Sequence, residues 1–413
     1  MEQSNFRIDG ARLWQSLMDM AKIGATASGG CNRQALTDED RIGRDTFCSW
    51  CEEAGCDVRI DEMGNIFARR RGRDASRDVI LIGSHLDTQP TGGKFDGVYG
   101  VLSGLEIVRT LNAFNFETEG PVEIVVWTNE EGTRFIPAMN GSGVWAGVLD
   151  QTEAYAQRSA NGPTFQEELQ RIGYLGDHPA RPFPVRAAFE AHIEQGPILE
   201  ADGKQIGVVT GVQGMRWYDL IIDGVPCHAG TTPMTMRRDP VRTMARIMSQ
   251  FLDDVNSPDS TARATFGVLH SEPASRNTVP QRVQVSVDLR HPDIHSLDEL
   301  EAQLRNSIES ECKQHGTTGE LNCIWDSPAV VFDPVCVNVV RNASRLLDYR
   351  FTDIVSGAGH DSVYVSGVAP TSMIFVPCAG GLSHNEAESA TSADLAAGCN
   401  VLLQAVLGID AKD

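Results

Sequence analysis

At 413 residues the chain has room for two domains and a large buried core. Hydrophobic residues at 41% and charged residues at 22% are ordinary for a globular enzyme, and a formal charge of −21 argues against nucleic acid or an anionic membrane as partner. The opening MEQSNFRIDG lacks a basic stretch followed by an apolar one, and nowhere do 18 uncharged apolar residues follow one another, so neither a secretory signal nor a membrane span is expected.

The ten cysteines show no framework spacing. Cys48 and Cys51 sit in DTFCSWCEEAGC, a helical pattern, and read as thiols packed on or beside a helix rather than a redox or zinc pair. Reduced thiols fit a cytoplasmic location, which is the one expected.

Apolar runs alternate with helical periods along the chain, the pattern of an α/β protein. Positions 13, 14, 17, 18 and 21 predict an amphipathic helix over 11–22. A second helix is expected over 38–55, capped by Thr37 or Asp38 and ended by Gly55. VILIGSH (79–85) reads as a strand, VLSGLEIVRTLNAF (101–114) as the following helix and VEIVVWT (122–128) as a second buried strand. AAFEAHIE (187–194) and TSMIFVP (371–377) are further strands. Between these two, after GVVTGVQG (207–214), come WYDLIID (217–223), a helix near 240–255, TFGVL (265–269), RVQVSVDLR (282–290) and a helix near 297–315. Gly211, Gly214 and Pro328 are plausible hinges. The expected organisation is a catalytic α/β domain with a central mixed sheet at 1–212 and 330–413, interrupted by an α+β domain at 213–329.

Two distant segments read as halves of one metal centre. GSHLDTQPTGGKFDG (83–97) supplies His85, Asp87 and Asp96, and NEEGTRF (129–135) supplies Glu130 and Glu131. FEAHIEQGP adds His192 and GGLSHNEAE adds His384. His85, Glu130, Glu131 and His192 fall at or near the carboxyl ends of strands, where open α/β sheets bind their ligands, and His384 lies in the loop shortly after another. His, Asp and Glu without Cys suit Zn2+, Mn2+, Co2+ or Ni2+. Two cations about 3.5–4 Å apart need a shared anionic ligand, and Asp96 is the candidate. His85 and His192 would complete one site, Glu131 and His384 the other. Asp87 is expected to accept the other ring N–H of His85, and Glu130 to act as general base.

GSHLDTQPTGGKFDG, NEEGTRF, FEAHIEQGPILE, HAGTTPM, SRNTVP, SGAGHD and GGLSHNEAE resemble, in order, the signatures of the hydantoinase/carbamoylase amidases. These belong to the wider superfamily of aminoacylase- and carboxypeptidase-like two-metal hydrolases, and the similarity spans nearly the whole chain. One minor departure is Gly-His-Asp-Ser at 359–362, where the family commonly has Gly-His-Asp-Ala. The resemblance implies the same ligands and base, two divalent cations per subunit, and an inserted domain that is a lid carrying the homodimer contact. It further implies hydrolysis of the ureido C–N bond of N-carbamoyl-L-amino acids. N-carbamoyl-β-alanine, allantoate, and dipeptides or acyl-amino acids are alternative substrates, and a non-catalytic binding protein is the alternative of another class.

These ureido substrates carry a carboxylate, for which Arg290, at the end of RVQVSVDLR, is the best-placed cation. Asn277 and Gln195 can add amide hydrogen bonds, and Gly359 a backbone contact, in agreement with the family pattern. His228, in CHAGTTP, is implied as a donor to the tetrahedral oxyanion, reaching into the active site of the partner subunit. Arg216 either binds a second anionic group or forms a surface ion pair. His360 either contacts substrate or orients its loop.

Overall fold

The computed structural model describes residues 5–160, 162–256 and 261–411. The chain divides into two compact units, one running to Thr210 and resuming at Val331, the other Gly211–Val330. The strands β1 (Asp57–Ile60), β2 (Ile66–Arg70), β3 (Val79–His85), β4 (Val122–Trp127), β5 (Val185–Ile193) and β6 (Ile206–Val212) come first. Then follow β7 (Gly214–Asp223), β8 (Cys227–His228), β9 (Arg263–Glu272), β10 (Thr278–Val279), β11 (Arg282–His291) and β12 (Thr318–Ser327). The chain closes with β13 (Val330–Val331), β14 (Phe351–Ser356) and β15 (Thr371–Val376).

The main sheet runs in the order β1-β2-β4-β3-β5-β15-β6-β13, with β14 beside β6. Its centre is parallel, β4 to β3 to β5 to β15, while β1, β2 and β6 join antiparallel. The α/β class with a central mixed sheet, expected from the alternating pattern, is therefore the one adopted. Every residue of β3, β4 and β15 is buried. Parallel strands are covered on both faces, which is why these read as largely apolar runs, with Glu123 of β4 buried against Arg59 and Arg69.

The helices Gly10–Met20, Asp38–Glu53, Val98–Ala113, Pro334–Leu346 and Ser392–Asp410 pack in the same unit. Asp38–Glu53 starts where the Thr37 side chain accepts the Asp40 N–H, and Asp38, Glu39 and Asp40 fill its positive first turn. Cys51 is buried and Cys48 half-buried on this helix, and all ten cysteines are free. Ser392–Asp410 is long and apolar enough to cross a membrane by length and composition, but 72% of it is buried inside the protein, as for a core helix. Val98–Ala113 begins three residues earlier than its apolar period predicts. Gly97, at φ 67°, turns the chain directly from Asp96 into the helix.

In the unit Gly211–Val330 the sheet is antiparallel, in the order β12-β7-β11-β9. β11 alternates buried and half-exposed residues with period two, so one face is apolar. Val283, Val285, Val287 and Leu289 on that face pack with Met244, Ile247 and Phe251 of helix Pro240–Val255 and with Leu297 and Leu304 of helix Ile294–His315. The unit is thus α+β. β12 escapes a reading of the sequence because it is an edge strand with one fully buried residue, Leu321, and no apolar alternation.

Candidate metal centre

Each expected ligand stands where a strand of the main sheet ends or in a loop just beyond. His85 is the last residue of β3, Glu130 and Glu131 follow β4, and His192 is the penultimate residue of β5. The backbone is bent to achieve this: Asn129, Gln195 and His384 all have positive φ, at 60°, 57° and 54°. For non-glycine residues such conformations are costly and cluster at functional sites.

The side chains converge on Asp96. Its Oδ1 lies 3.1 Å from His192 Nε2 and 3.6 Å from His85 Nε2. Its Oδ2 lies 3.4 Å from His384 Nε2, which is also 3.4 Å from Glu131 Oε2. Two donor triads result, His85–Asp96–His192 and Asp96–Glu131–His384, each with its ligand atoms within 4.8 Å of one another. The two oxygens of one carboxylate thus face different triads.

Tautomers are fixed from behind. His85 Nδ1–H donates to the Asp87 backbone carbonyl at 2.8 Å and His192 Nδ1–H to that of Ile193 at 2.9 Å, which turns both Nε2 atoms inward. The expected role of the Asp87 carboxylate is here corrected. It lies 3.9 Å from His85 Nδ1, and accepts instead the backbone N–H groups of Glu130 and Glu131, both at 3.2 Å. The single residue between His85 and Asp87, Leu86, lets the main chain reach the ring first, leaving the carboxylate to anchor the Glu-Glu turn. Gln89 grips Glu131 through its backbone N–H and its Nε2, at 3.1 and 2.7 Å.

The electrostatics are those of a site built for positive charge. Burial, reinforced by Asp361, Glu131 and Asp87, holds Glu130 well above the ordinary carboxyl range. Burial and the charge of Asp96 push Glu131 up to about 7. Asp96 itself, despite its burial, is kept well below its usual value in the metal-free protein by the protonated imidazoles of His192, His384 and His85 clustered around it. The hydrogen bond to Asp96 in turn draws His384 up to about 9. Nitrogen and carboxylate donors at this spacing fit divalent cations: each triad offers inward lone pairs, and buried carboxylates gain from a nearby charge of opposite sign.

Gly97 is forced by this packing. A Cβ there would lie 2.3 Å from His85 Cε1 and Nε2, at a φ that L-residues avoid. Gly97→Ala is expected to lose about 1–3 kcal/mol from the backbone alone and to push His85 off its triad. Thermal melts and metal content measured together check both effects.

Of the other expected site residues, Gln195 lies in this centre. Its Nε2 donates to Asp96 Oδ2 at 2.9 Å, while its Oε1 is buried without a partner in the structure. Gly359 is in the loop after β14, closed by Ser356, whose Oγ accepts the Ala358 N–H and lies 3.0 Å from His360 Nε2. His360 is buried edge-on to His192, with ring centroids 4.6 Å apart, so it orders this loop and supports a ligand. Burial and the nearby His192 keep it neutral, well below the usual imidazole range.

The unit Gly211–Val330 holds the remaining four. His228 and Asn277 are brought together by the β8–β10 ribbon, in which His228 opposes Thr278 and the Ala229 N–H donates to the Asn277 carbonyl. His228 Nδ1 accepts the N–H groups of Gly230 and Thr231, so its proton sits on Nε2 and the exposed edge of the ring is a donor. Arg290 lies on Asp288, two residues back on the same face of β11, at 2.8 Å. Arg216 is corrected as a substrate cation. β7 sets it opposite Asp326 of β12, and helix Ile294–His315 adds Asp298 and Glu301, giving contacts of 3.2, 2.7 and 3.0 Å. Three carboxylates already surround its charge, which is the ion-pair alternative.

Sequence reasoning missed Gln89, Asp361 and Glu388. Gln89 and Glu388 lie inside motifs already singled out, two and four residues from Asp87 and His384. Asp361, buried and bonded to Ser142, is one of the charges that raise Glu130.

A parallel-centred α/β sheet ending in histidine–carboxylate triads has the donor chemistry of a metal-dependent hydrolase. Residues 81–408 match the family model of Peptidase family M20/M25/M40, and the chain belongs to that family. It is 48% identical over 403 residues to an N-carbamoyl-L-amino-acid amidohydrolase of Rhizobium meliloti, covering 98% of this chain and 97% of that one. It is 32% identical over 385 residues to an allantoate amidohydrolase of Bacillus subtilis (strain 168), covering 93% of each. The crystal structure of an amidase of the hydantoinase/carbamoylase family from Burkholderia multivorans matches with a TM-score of 0.93 at 51% identity, covering 98% of this chain and 99% of that one. The resemblance carried by the sequence motifs is thereby borne out.

Proposed function

We propose that the protein is an amidohydrolase that cleaves the ureido C–N bond of N-carbamoyl-L-amino acids, giving the L-amino acid, carbon dioxide and ammonia. The observation that carries this reading is the split of Asp96, one oxygen toward each donor triad, in a chain 48% identical to an enzyme named for that reaction. His85, Asp96 and His192 hold one divalent cation and Asp96, Glu131 and His384 a second, drawn from Zn2+, Mn2+, Co2+ or Ni2+. When bound, these supply Lewis-acid polarisation of the ureido carbonyl and an acidified water.

The chain's own groups do the rest. Glu130 borders the His85 triad, with its Oε2 3.5 Å from His85 Nε2, and takes the proton of the attacking water. Its raised affinity for that proton lets it return the proton to the leaving nitrogen. The unpartnered Gln195 Oε1 accepts a ureido N–H, and Gly359 offers its backbone. Residues 213–329 form a lid on the catalytic parts 1–212 and 330–413, and carry the contact of a homodimer. Within the lid, Arg290 and Asn277 bind the substrate carboxylate, and the Nε2–H of His228 serves the oxyanion in the active site of the partner subunit. The protein acts in the cytoplasm on a small molecule.

Ammonia release from N-carbamoyl-L-methionine, its D-enantiomer, N-carbamoyl-β-alanine, allantoate and an N-acetyl amino acid tests the reading. Preference for the L-carbamoyl α-amino acid is expected. Preference for N-carbamoyl-β-alanine would reassign the substrate and keep the site, since one methylene discriminates by only about 1–3 kcal/mol. No hydrolysis of any member by metal-loaded protein would sink the substrate class.

A further inference from the structure

We propose that Glu388 is a positioning residue of the metal centre: it fixes the backbone that delivers Asp96 and so governs how tightly the cations are held. This rests on the reading of Asp96 as their shared ligand. Glu388 is buried, and its Oε1 accepts the N–H groups of Phe95 and Asp96 at 2.9 and 3.2 Å. Its Oε2 lies 3.1 Å from Ser383 Oγ, and that hydroxyl is 2.8 Å from Asp96 Oδ2. One carboxylate therefore touches Asp96 at both ends, directly at the main chain and through Ser383 at the side chain.

Two further facts separate this from ordinary loop packing. The opposing loop makes room for Glu388: a Cβ on Gly93 would stand 2.0 Å from its Cδ and Oε1. Moreover, Glu388 is a second buried carboxylate beside Asp96, an arrangement that costs the fold unless positive charge is close. The same grip occurs elsewhere in the unit without any ligand nearby. Asp410 accepts the N–H groups of Glu119 and Gly120 at 3.0 and 3.1 Å, and is equally buried. Asp410 supplies the control.

The full-length protein, stripped of metal with a chelator, is titrated with Zn2+ against a chromophoric chelator, and its metal-free melting temperature is recorded. Glu388→Ala is expected to weaken Zn2+ binding about tenfold or more. Glu388→Gln keeps an acceptor for both N–H groups and is expected to bind close to the parent. Asp410→Ala is expected to lower the melting temperature and leave Zn2+ affinity unchanged. If Glu388→Ala does not fold, Glu388→Asp, one methylene too short to reach both N–H groups, carries the same expectation. Parent-like Zn2+ affinity in the Ala or Asp variant, or equal weakening by Asp410→Ala, overturns the proposal. A parent protein that binds no Zn2+ instead refutes the metal reading on which the proposal stands.

Discussion

Glu130→Gln is expected to lower kcat about 10³-fold, the middle of the range for general acid–base catalysis, while the protein keeps its full complement of cations. The carboxyl and the amide have the same shape, so the turn after β4 survives. That turn is held by main-chain contacts: the Glu130 N–H donates to Asp87, and its carbonyl accepts the Met139 N–H at 2.9 Å. What is lost is the acceptor for the proton of water and its later return to nitrogen, worth about 4 kcal/mol at that fold-change. Kinetics on N-carbamoyl-L-methionine and elemental analysis of the same samples check it. Loss of metal together with activity would make Glu130 a ligand rather than the base. Retained activity would remove it from the chemistry altogether. The adjacent glutamates meet different partners because the chain turns sharply at Asn129, sending Glu131 to Gln89 and His384 and Glu130 to His85.

That division illustrates what the sequence reveals and what it withholds. Strand ends are legible because parallel strands buried on both faces are nearly continuous apolar runs, so VILIGSH, VEIVVW and TSMIFV announce themselves, and with them the crevice at their carboxyl ends. The convergence of His85, Asp96, Glu131, His192 and His384 follows from that topology and from residue type. Which atom of a residue makes a contact does not follow. Nothing in H-x-D says that the carbonyl of Asp87 rather than its carboxylate meets His85; the path of the main chain after β3 decides it. Arg216 is ambiguous for the same reason, since its partners come from another strand and from a helix more than 80 residues away. Edge strands such as β12 leave no apolar period to read.

Asp96→Asn is expected to strip the centre of both cations, whereas His384→Ala is expected to strip one. An amide cannot supply negative charge to two cations at once, and Asp96 is the one residue common to both triads. Elemental analysis after dialysis against a weak chelator distinguishes the cases, and equal loss in the two variants would refute a shared ligand. The pH dependence has a definite sign. In the metal-free protein, His384 holds its proton up to about 9 against an ordinary 6.5, and Glu131 up to about 7 against 4.5. Both are raised above their unfolded values, so their contribution to stability is complete at low pH and is lost as pH climbs through 7 and then 9. Cations require the opposite forms, a neutral imidazole and an ionised carboxylate, and so compete with these protons. The gain in melting temperature on adding Zn2+ or Mn2+ should therefore grow from pH 6 to pH 9. In Asp96→Asn that gain should be small across the range, because the variant lacks both the shared ligand and the carboxylate that holds the His384 proton. A cation-induced gain that shrinks as pH rises would contradict the assignment of His384 and Glu131 as ligands.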